Sequence, residues 1–148
     1  MEEQTKYGQA KYGIERTKYL IDTDVLINHI NKKKDTLIKL SERENIILSL
    51  SVLNKFELYR GARTIKDKDI INDIVRFFDV IIVDDQIAEK AAELSQLGNL
   101  YSLGIMDLII AATCILHNLI LVTENKKHFK LIPEIEIYEK EKYEEAIK

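Results

Sequence analysis

Four short segments of this 148-residue chain place an acidic or amide side chain beside an apolar run. Asp22 ends the first run, Glu57 follows Phe56, Asp107 precedes a long apolar stretch, and Asn125 closes the last segment. A charge beside buried apolar sequence is costly unless something pairs with it. Carboxylate oxygens suit hard cations such as Mg²⁺ and Mn²⁺, which support phosphodiester displacement. We therefore predict that Asp22, Glu57 and Asp107 are metal ligands.

Two neighbours extend this predicted site. Thr123, two residues before Asn125, can orient a carboxylate or a water molecule through its hydroxyl, and the Asn125 amide oxygen can hold a water or a ligand. Asp24 is close enough in sequence to Asp22 to add a direct or an indirect contact. The predicted catalytic set is Asp22, Glu57, Asp107, Thr123 and Asn125.

Each member of this set also has a purely structural interpretation. Asp22 or Asp24 can cap the helix that follows, and Asp107 can complement a helix dipole. Glu57 can form an ion pair with Arg60, three residues further on. For any single residue, the structural role is a simpler explanation than metal binding. If all of them had only structural roles, however, the regular order of the segments would be unexplained.

The composition is that of a single globular domain, with 46% hydrophobic and 32% charged residues. The net charge of −3 provides no overall positive field for nucleic acid. Cys114 is the only cysteine, which excludes an internal disulfide or a cysteine zinc site. No apolar stretch predicts a secretory signal or a membrane span, so we expect a cytoplasmic protein.

Apolar periodicity predicts alternating strands and helices, and therefore an α/β fold of three α/β/α layers around a mainly parallel sheet of about five strands. Residues 1–18 are expected to be a flexible extension and residues 19–148 a single domain. Asp22 and Thr123 follow predicted strands, where ligands of such sheets bind. The predicted strands are 19–21, 46–50, 80–83, 119–122 and 134–138, and the predicted helices are 25–30, 36–43, 52–61, 67–78, 86–97 and 107–116.

In their order, the four segments resemble the PIN-domain ribonucleases, in particular the toxin nucleases of the VapBC type. The resemblance covers nearly all of residues 19–138. Each motif alone is weak evidence, whereas all of them in order at suitable spacing are a strong signal. The motifs are Leu20-Ile21-Asp22-Thr23-Asp24-Val25-Leu26-Ile27, Ser51-Val52-Leu53-Asn54-Lys55-Phe56-Glu57-Leu58-Tyr59-Arg60-Gly61, Asp107-Leu108-Ile109-Ile110-Ala111-Ala112, and Leu121-Val122-Thr123-Glu124-Asn125 followed by His128-Phe129.

This resemblance implies a PIN-like fold and an Mg²⁺- or Mn²⁺-dependent endoribonuclease that cleaves RNA with a metal-activated water. It also implies that the chain is the toxin partner of an antitoxin protein, and a homodimer. Asn125 occupies a position where the family often has an acid. The number of bound ions, one or two, therefore stays open. Arg60 and Lys126 lie near the acidic motifs and are predicted to contact the RNA substrate.

Three alternatives remain open on the sequence alone. A stand-alone RNA-processing nuclease would use the same residues. A haloacid-dehalogenase-type phosphatase would use Asp22 as nucleophile, Asp24 as acid and the pair Asp84-Asp85 as a late acidic motif, but it would leave Glu57 and Asp107 unexplained. A PIN-fold module that binds RNA or a partner without cutting is the third alternative. Asn125 favours it, because the family often has an acid at this position.

Overall fold

The sheet of this protein has five parallel strands in the order β3-β2-β1-β4-β5. A computed structural model describes residues 15–98, 100 and 103–140. The strands are β1 (Thr17–Ile21), β2 (Ile46–Ser51), β3 (Asp79–Ile81), β4 (Ile120–Val122) and β5 (Glu136–Ile137). The helices are α1 (Thr23–Ile30), α2 (Thr36–Ser41), α3 (Val52–Gly61), α4 (Ile65–Val75), α5 (Asp85–Ser95), α6 (Ile105–His117) and α7 (Lys126–Phe129).

Helices cover both faces of the sheet, as predicted for continuously apolar strands. Successive side chains of β1 alternate between two cores: Leu20 packs with residues of α5 and α6, whereas Tyr19 and Ile21 pack with residues of α1 to α4. The helix α6 is buried along most of its length, including Cys114. Burial raises the pKa of the Cys114 thiol well above its usual range, so this cysteine is a core residue. The predicted three-layer α/β/α fold is confirmed.

Several predicted boundaries differ from the structure. β1 begins at Thr17, inside the predicted extension, because Thr17 donates to the Asn45 carbonyl at 2.9 Å and pairs with Ile46. α4 begins at Ile65 rather than 67, because Thr64 and Asp67 form a capping box. The residues 1–14 of the predicted extension and residues 141–148 of the tail lie outside the described residues.

The predicted bounds of the helix that contains Asp107 and of the last strand also differ from the structure. α6 begins at Ile105, so Asp107 lies in its first turn rather than at its start. The edge strand β5 is shorter than predicted and consists of Glu136 and Ile137, which pair with Ile120 and Leu121 of β4. Along the described ranges, no helix is both long enough and apolar enough to cross a lipid bilayer.

Candidate metal centre

The candidate site lies where the strand order reverses direction. The chain passes from β1 to β2 on one side and later returns to β4 on the other side of β1. At such a switch point the loops after the two strands separate and leave a crevice beyond their carboxyl ends. Asp22 follows β1 and Thr123 follows β4, and the Asp22 amide donates to the Val122 carbonyl at 2.9 Å. The sheet register therefore brings the first and last predicted motifs together.

The Asp22 carboxylate is held by three hydrogen bonds from different parts of the chain. Its Oδ1 accepts from the Thr23 amide at 2.9 Å and from Asn54 Nδ2 at 3.3 Å. Its Oδ2 accepts from the Thr123 hydroxyl at 2.8 Å. The predicted orienting role of Thr123 thus has the required geometry. Asp22 is also the N-cap of α1, so the helix cap and the candidate site share one side chain.

Asn54 is a site residue that the sequence interpretation missed. It is fully buried, and its Nδ2 donates to Asp22 Oδ1 and to Thr23 Oγ1, the latter at 3.1 Å. Its Oδ1 accepts from the Ser51 amide at 3.0 Å, which completes a capping box at the start of α3. A serine three residues before an asparagine at a helix start is a recognisable signal, but the reach of Asn54 to Asp22 required the fold.

Glu57 joins this network through Thr23. The Thr23 hydroxyl donates to Glu57 Oε1 at 3.0 Å, and the same hydroxyl accepts from Asn54. The alternative ion pair between Glu57 and Arg60 is absent from the described residues. Arg60 instead lies over the Phe56 ring, with its guanidinium carbon 5.4 Å from the ring centroid. Glu57 therefore contacts Thr23, whereas Arg60 contacts Phe56.

Asp107 is linked to Asp22 by charge rather than by a hydrogen bond. It lies in the first turn of α6, and its negative charge contributes to raising the Asp22 pKa. The buried residues of α6 fix this turn against the core that contains Leu20 and Leu121. Asp107 therefore acts on Asp22 through its charge, which is the smallest of the causes that raise the Asp22 pKa.

The pKa of Asp22 is raised from 3.8 to about 6. Burial is the largest cause, followed by the charge of Asp24, while the hydrogen bonds from Thr123 and Thr23 act in the opposite direction. The Asp24 pKa is raised as well, first by burial. Within the described part of the chain, Asp22, Asp24, Glu57 and Asp107 form no salt bridge. A cation at this point would relieve both the repulsion and the desolvation.

Asp24 has a different role from the helix cap considered above. Because Asp22 is the cap, Asp24 falls in the first turn of α1. Its carboxylate accepts the Glu124 amide, with both oxygens 3.3–3.4 Å from the nitrogen. Asp24 therefore ties the start of α1 to the loop that follows β4.

Asn125 is connected to the site by its backbone. Its amide donates to Thr123 Oγ1 at 3.1 Å, so Asn125 helps to fix the hydroxyl that holds Asp22. Its side-chain nitrogen lies 2.9 Å from His128 Nδ1. It is the N-cap residue of α7, but its side chain makes no capping hydrogen bond. Lys126, the other predicted RNA contact besides Arg60, lines a cavity together with Thr123.

The donors at this point fit a divalent cation, but they do not enclose one by themselves. Among residues 15–98, 100 and 103–140, no three acidic, histidine or cysteine side chains form a cluster that could hold an ion. Mg²⁺ commonly binds through one or two carboxylates and takes its remaining ligands from water and substrate phosphate. Asp22 offers a buried carboxylate of this kind, and Glu57 is connected to it through Thr23.

Comparisons with known proteins bear on the family and the fold of this chain. The PIN domain family model matches residues 19–135. Ribonuclease VapC1 of Methanocaldococcus jannaschii is 31% identical over 132 residues, which cover 85% of this chain and 90% of the relative.

Two solved structures have a similar fold. One is VapBC2 from Rickettsia felis bound to a DNA fragment from its promoter, with a TM-score of 0.73, 23% identity, and coverage of 82% of this chain and 98% of that one. The other is a toxin-antitoxin complex from Klebsiella pneumoniae, with a TM-score of 0.67, 29% identity, and coverage of 79% and 94%.

The resemblance inferred from the motifs is confirmed by these matches, and the predicted PIN-like fold is confirmed with it. The family match spans the strands and helices that hold Asp22, Glu57, Asp107 and Thr123. Nucleases of this family generally depend on a divalent metal, which agrees with the donors found here. The chain belongs to the PIN-domain family, among relatives that are ribonucleases of the VapC type.

Proposed function

We propose that this chain is a metal-dependent endoribonuclease and the toxin of a VapBC-type pair. The observation that carries the proposal is the convergence on Asp22, where a buried carboxylate is held by Thr23, Asn54 and Thr123 beside two further acids. So much burial and repulsion at one carboxylate is costly for folding and is typical of functional sites. The ribonuclease relative supports RNA as the substrate.

Asp22 and Asp107 would hold the ion, with Glu57 as the third carboxylate. When bound, the ion supplies Lewis-acid chemistry, which acidifies water and offsets the charge that develops on the phosphate. Mg²⁺ is the proposed ion and Mn²⁺ the alternative, because both prefer oxygen ligands. Asn125 brings no charge, so we propose that the protein holds one ion tightly and that any second ion arrives with substrate.

The remaining residues hold and orient these groups. Thr123 fixes one oxygen of Asp22, and Asn54 and the Thr23 amide fix the other. The Thr23 hydroxyl sets the direction of Glu57. None of these residues is proposed as a nucleophile, since the attacking group in this chemistry is water. Arg60 and Lys126 are the proposed RNA contacts.

The partners follow from the relatives rather than from contacts in this chain. The solved neighbours are toxin-antitoxin complexes, and we propose a small antitoxin protein as the regulator. We also propose a homodimer, with the apolar stripes of residues 36–43 and 67–78 as candidate surfaces. Because the proposed substrate is RNA, we propose the cytoplasm as the location.

The phosphatase alternative loses its second acidic motif in this fold. Asp84 caps α5, where its Oδ1 accepts from the Ile87 amide at 2.9 Å. It follows β3, which is an edge strand separated from β1 by β2. Asp84 and Asp85 therefore lie away from the switch point at which Asp22 is located.

The decisive experiment measures RNA cleavage and ion binding by the purified full chain. We expect cleavage with Mg²⁺ or Mn²⁺ and none with EDTA, and we expect Asp107→Asn to lose at least 100-fold in rate. Asp79→Asn is the matched control, because Asp79 is exposed at the start of the edge strand β3. Full activity in Asp107→Asn would overturn the assignment.

Ion binding separates the nuclease from a PIN-fold module that binds without cutting. Calorimetry with Mn²⁺ should give a binding heat for the wild type and a much weaker one for Asp22→Ala. A wild type that binds no ion and cuts no RNA would favour the inactive module. Trapping of a phosphoaspartate or its fluoride mimic on Asp22 would favour the phosphatase.

A further inference from the structure

A cavity of about 320 Å³ adjoins the candidate metal centre on the side of β4 and β5. Its wall includes Val122 at the end of β4, Tyr138 just after β5 and Thr36 at the start of α2. Thr123, whose hydroxyl holds Asp22, is part of its wall. Its volume is within the usual range for small-ligand sites. The cavity and the acidic centre are therefore neighbours that share one residue.

The cavity wall carries three lysines and two acids, so its formal charge is +1. The wall contains Lys34, Lys126 and Lys140, together with Asp35 and Glu124. Asp35 forms an ion pair with Lys39 at 3.4 Å. Within the described residues, Lys126 and Lys140 form no salt bridge. The cavity thus offers ammonium groups to an anion, beside a centre that is itself strongly acidic.

One of these lysines, Lys34, already forms an ion pair with the Glu124 carboxylate. Glu124 Oε2 is 2.7 Å from Lys34 Nζ, although the two residues lie 90 positions apart. Its backbone amide is bonded to Asp24, so the position of the residue is fixed from the acidic side. Both side chains are partly exposed, at 53% for Lys34 and 32% for Glu124. A pair of this kind is weak and can exchange partners.

We propose that this cavity is a subsite for an RNA phosphodiester next to the one that is cleaved, and that its phosphate replaces the Glu124 carboxylate on Lys34. Lysine ammonium groups bind phosphate as point charges. Lys126 adds a second ammonium group, and Thr123 links the position of this phosphate to that of Asp22. Glu124 would then compete with substrate as an internal anion. The inference rests on the proposed nuclease function, because it takes RNA as the ligand.

The test measures binding of a short single-stranded RNA in EDTA, where no cleavage is expected. Lys126→Gln should weaken binding about fivefold and lower the salt slope by about 0.7, the value for one phosphate contact on a single strand. Lys127→Gln is the matched control, because Lys127 is the next residue on α7 and is not part of the cavity wall. It should change the affinity less than about twofold.

Glu124→Gln is the more specific variant, because it should strengthen RNA binding. The substitution removes the carboxylate that competes for Lys34, and we therefore expect the RNA affinity to rise about threefold. Glu134→Gln is the matched control, because it removes the same charge at an exposed residue whose Oε1 lies 3.6 Å from Lys90 Nζ. It should leave the RNA affinity within about 1.5-fold of wild type. In the Lys34→Gln background the effect of Glu124→Gln should shrink, because its partner is gone.

Each outcome separates the subsite from the function on which it rests. Equal losses in Lys126→Gln and Lys127→Gln, or unchanged or weaker binding in Glu124→Gln, would overturn the subsite even if RNA is still cleaved. The predicted pattern of affinities without any metal-dependent cleavage would support an RNA phosphate site in this cavity but overturn the nuclease and, with it, a position next to a cleaved bond. Competition by inorganic phosphate as strong as by RNA would assign the cavity to free phosphate and overturn the RNA subsite. Circular dichroism of each variant checks that it is folded.

Discussion

Thr123 and Asp22 lie 101 positions apart in the chain, and the Thr123 hydroxyl donates to Asp22 Oδ2 at 2.8 Å. The parallel pairing of Ile21 with Val122 makes this contact possible, because it places the next residue of each strand side by side. The same hydroxyl accepts the Asn125 amide at 3.1 Å. One side chain therefore joins the ends of β1 and β4 and orients the central carboxylate of the candidate site.

The first prediction concerns Thr123→Val, which keeps the shape of the side chain and removes the hydroxyl. The hydrogen bond from Thr123 lowers the Asp22 pKa, so the variant should raise it further. A smaller fraction of Asp22 is then ionised near neutral pH. Because most of Asp22 is ionised at pH 7 when its pKa is about 6, we expect only about a twofold loss of RNA cleavage at pH 7. The acidic limb of the pH–rate profile should be displaced to higher pH.

Thr123→Ser is the control for this variant, because serine retains the donor. It should keep both the pH profile and most of the rate. A Thr123→Val profile that coincides with that of the wild type would show that the hydroxyl does not act through Asp22.

The second prediction is that protein stability falls as pH rises from about 4 to about 6. The folded-state pKa of Asp22 is about 6 against an ordinary 3.8, so the folded state binds more protons in this window. At about 1.4 kcal/mol per tenfold change in proton affinity, the loss amounts to about 3 kcal/mol. Chemical denaturation in EDTA across this range measures it. Burial raises the Asp24 pKa in the same direction.

Asp22→Asn should remove most of this slope. Because it also removes the buried charge, we expect the free energy of unfolding at pH 7.5 to rise by about 1–2 kcal/mol. Asp79→Asn, at an exposed position, should leave the slope in place. Equal slopes in the wild type and Asp22→Asn would contradict the prediction.

The third prediction concerns Thr23→Val, which removes the hydroxyl between Asn54 and Glu57. Glu57 loses its hydrogen bond at 3.0 Å, and Asn54 loses one acceptor. We expect weaker Mn²⁺ binding by calorimetry, about five- to tenfold, together with a cost in stability of about 1 kcal/mol.

Thr23→Ser separates the two possible causes, since it restores the hydroxyl but not the methyl group. Recovery of ion affinity in the serine variant is expected. If serine and valine bind Mn²⁺ equally weakly, the hydroxyl is not what orients Glu57.

The fourth prediction is that Asn54→Ala lowers the free energy of unfolding by about 2–4 kcal/mol. Asn54 is fully buried, and its loss leaves the Ser51 amide without its side-chain acceptor and removes two donors at Asp22 and Thr23. Urea denaturation of the variant provides the measurement.

Asn72→Ala is the comparison for this variant. Asn72 is exposed and accepts only from the Tyr59 hydroxyl at the surface, so its loss should cost no more than about 0.5 kcal/mol. Similar losses in the free energy of unfolding for Asn54→Ala and Asn72→Ala would contradict the structural role assigned to Asn54.

The alternation of buried strands and helices was readable from the sequence, because apolar periodicity is a local property. It predicted the three-layer fold, whereas the order of the motifs around Asp22, Glu57, Asp107 and Thr123 indicated the family. Boundaries were less accurate where a cap decided them. Asp22 rather than Asp24 caps α1, and Thr64 with Asp67 extends α4 to Ile65.

The tertiary structure alone decided how these side chains are connected. The fully buried Asn54 joins Ser51, Thr23 and Asp22, and Glu124 pairs with Lys34 across 90 positions. Contacts of this kind depend on sheet register and on the directions in which loops leave the strands. A single sequence encodes them only through the sum of many weak interactions. The residue types determined which chemistry is possible. The strand order β3-β2-β1-β4-β5 determined which of these residues come together in one site.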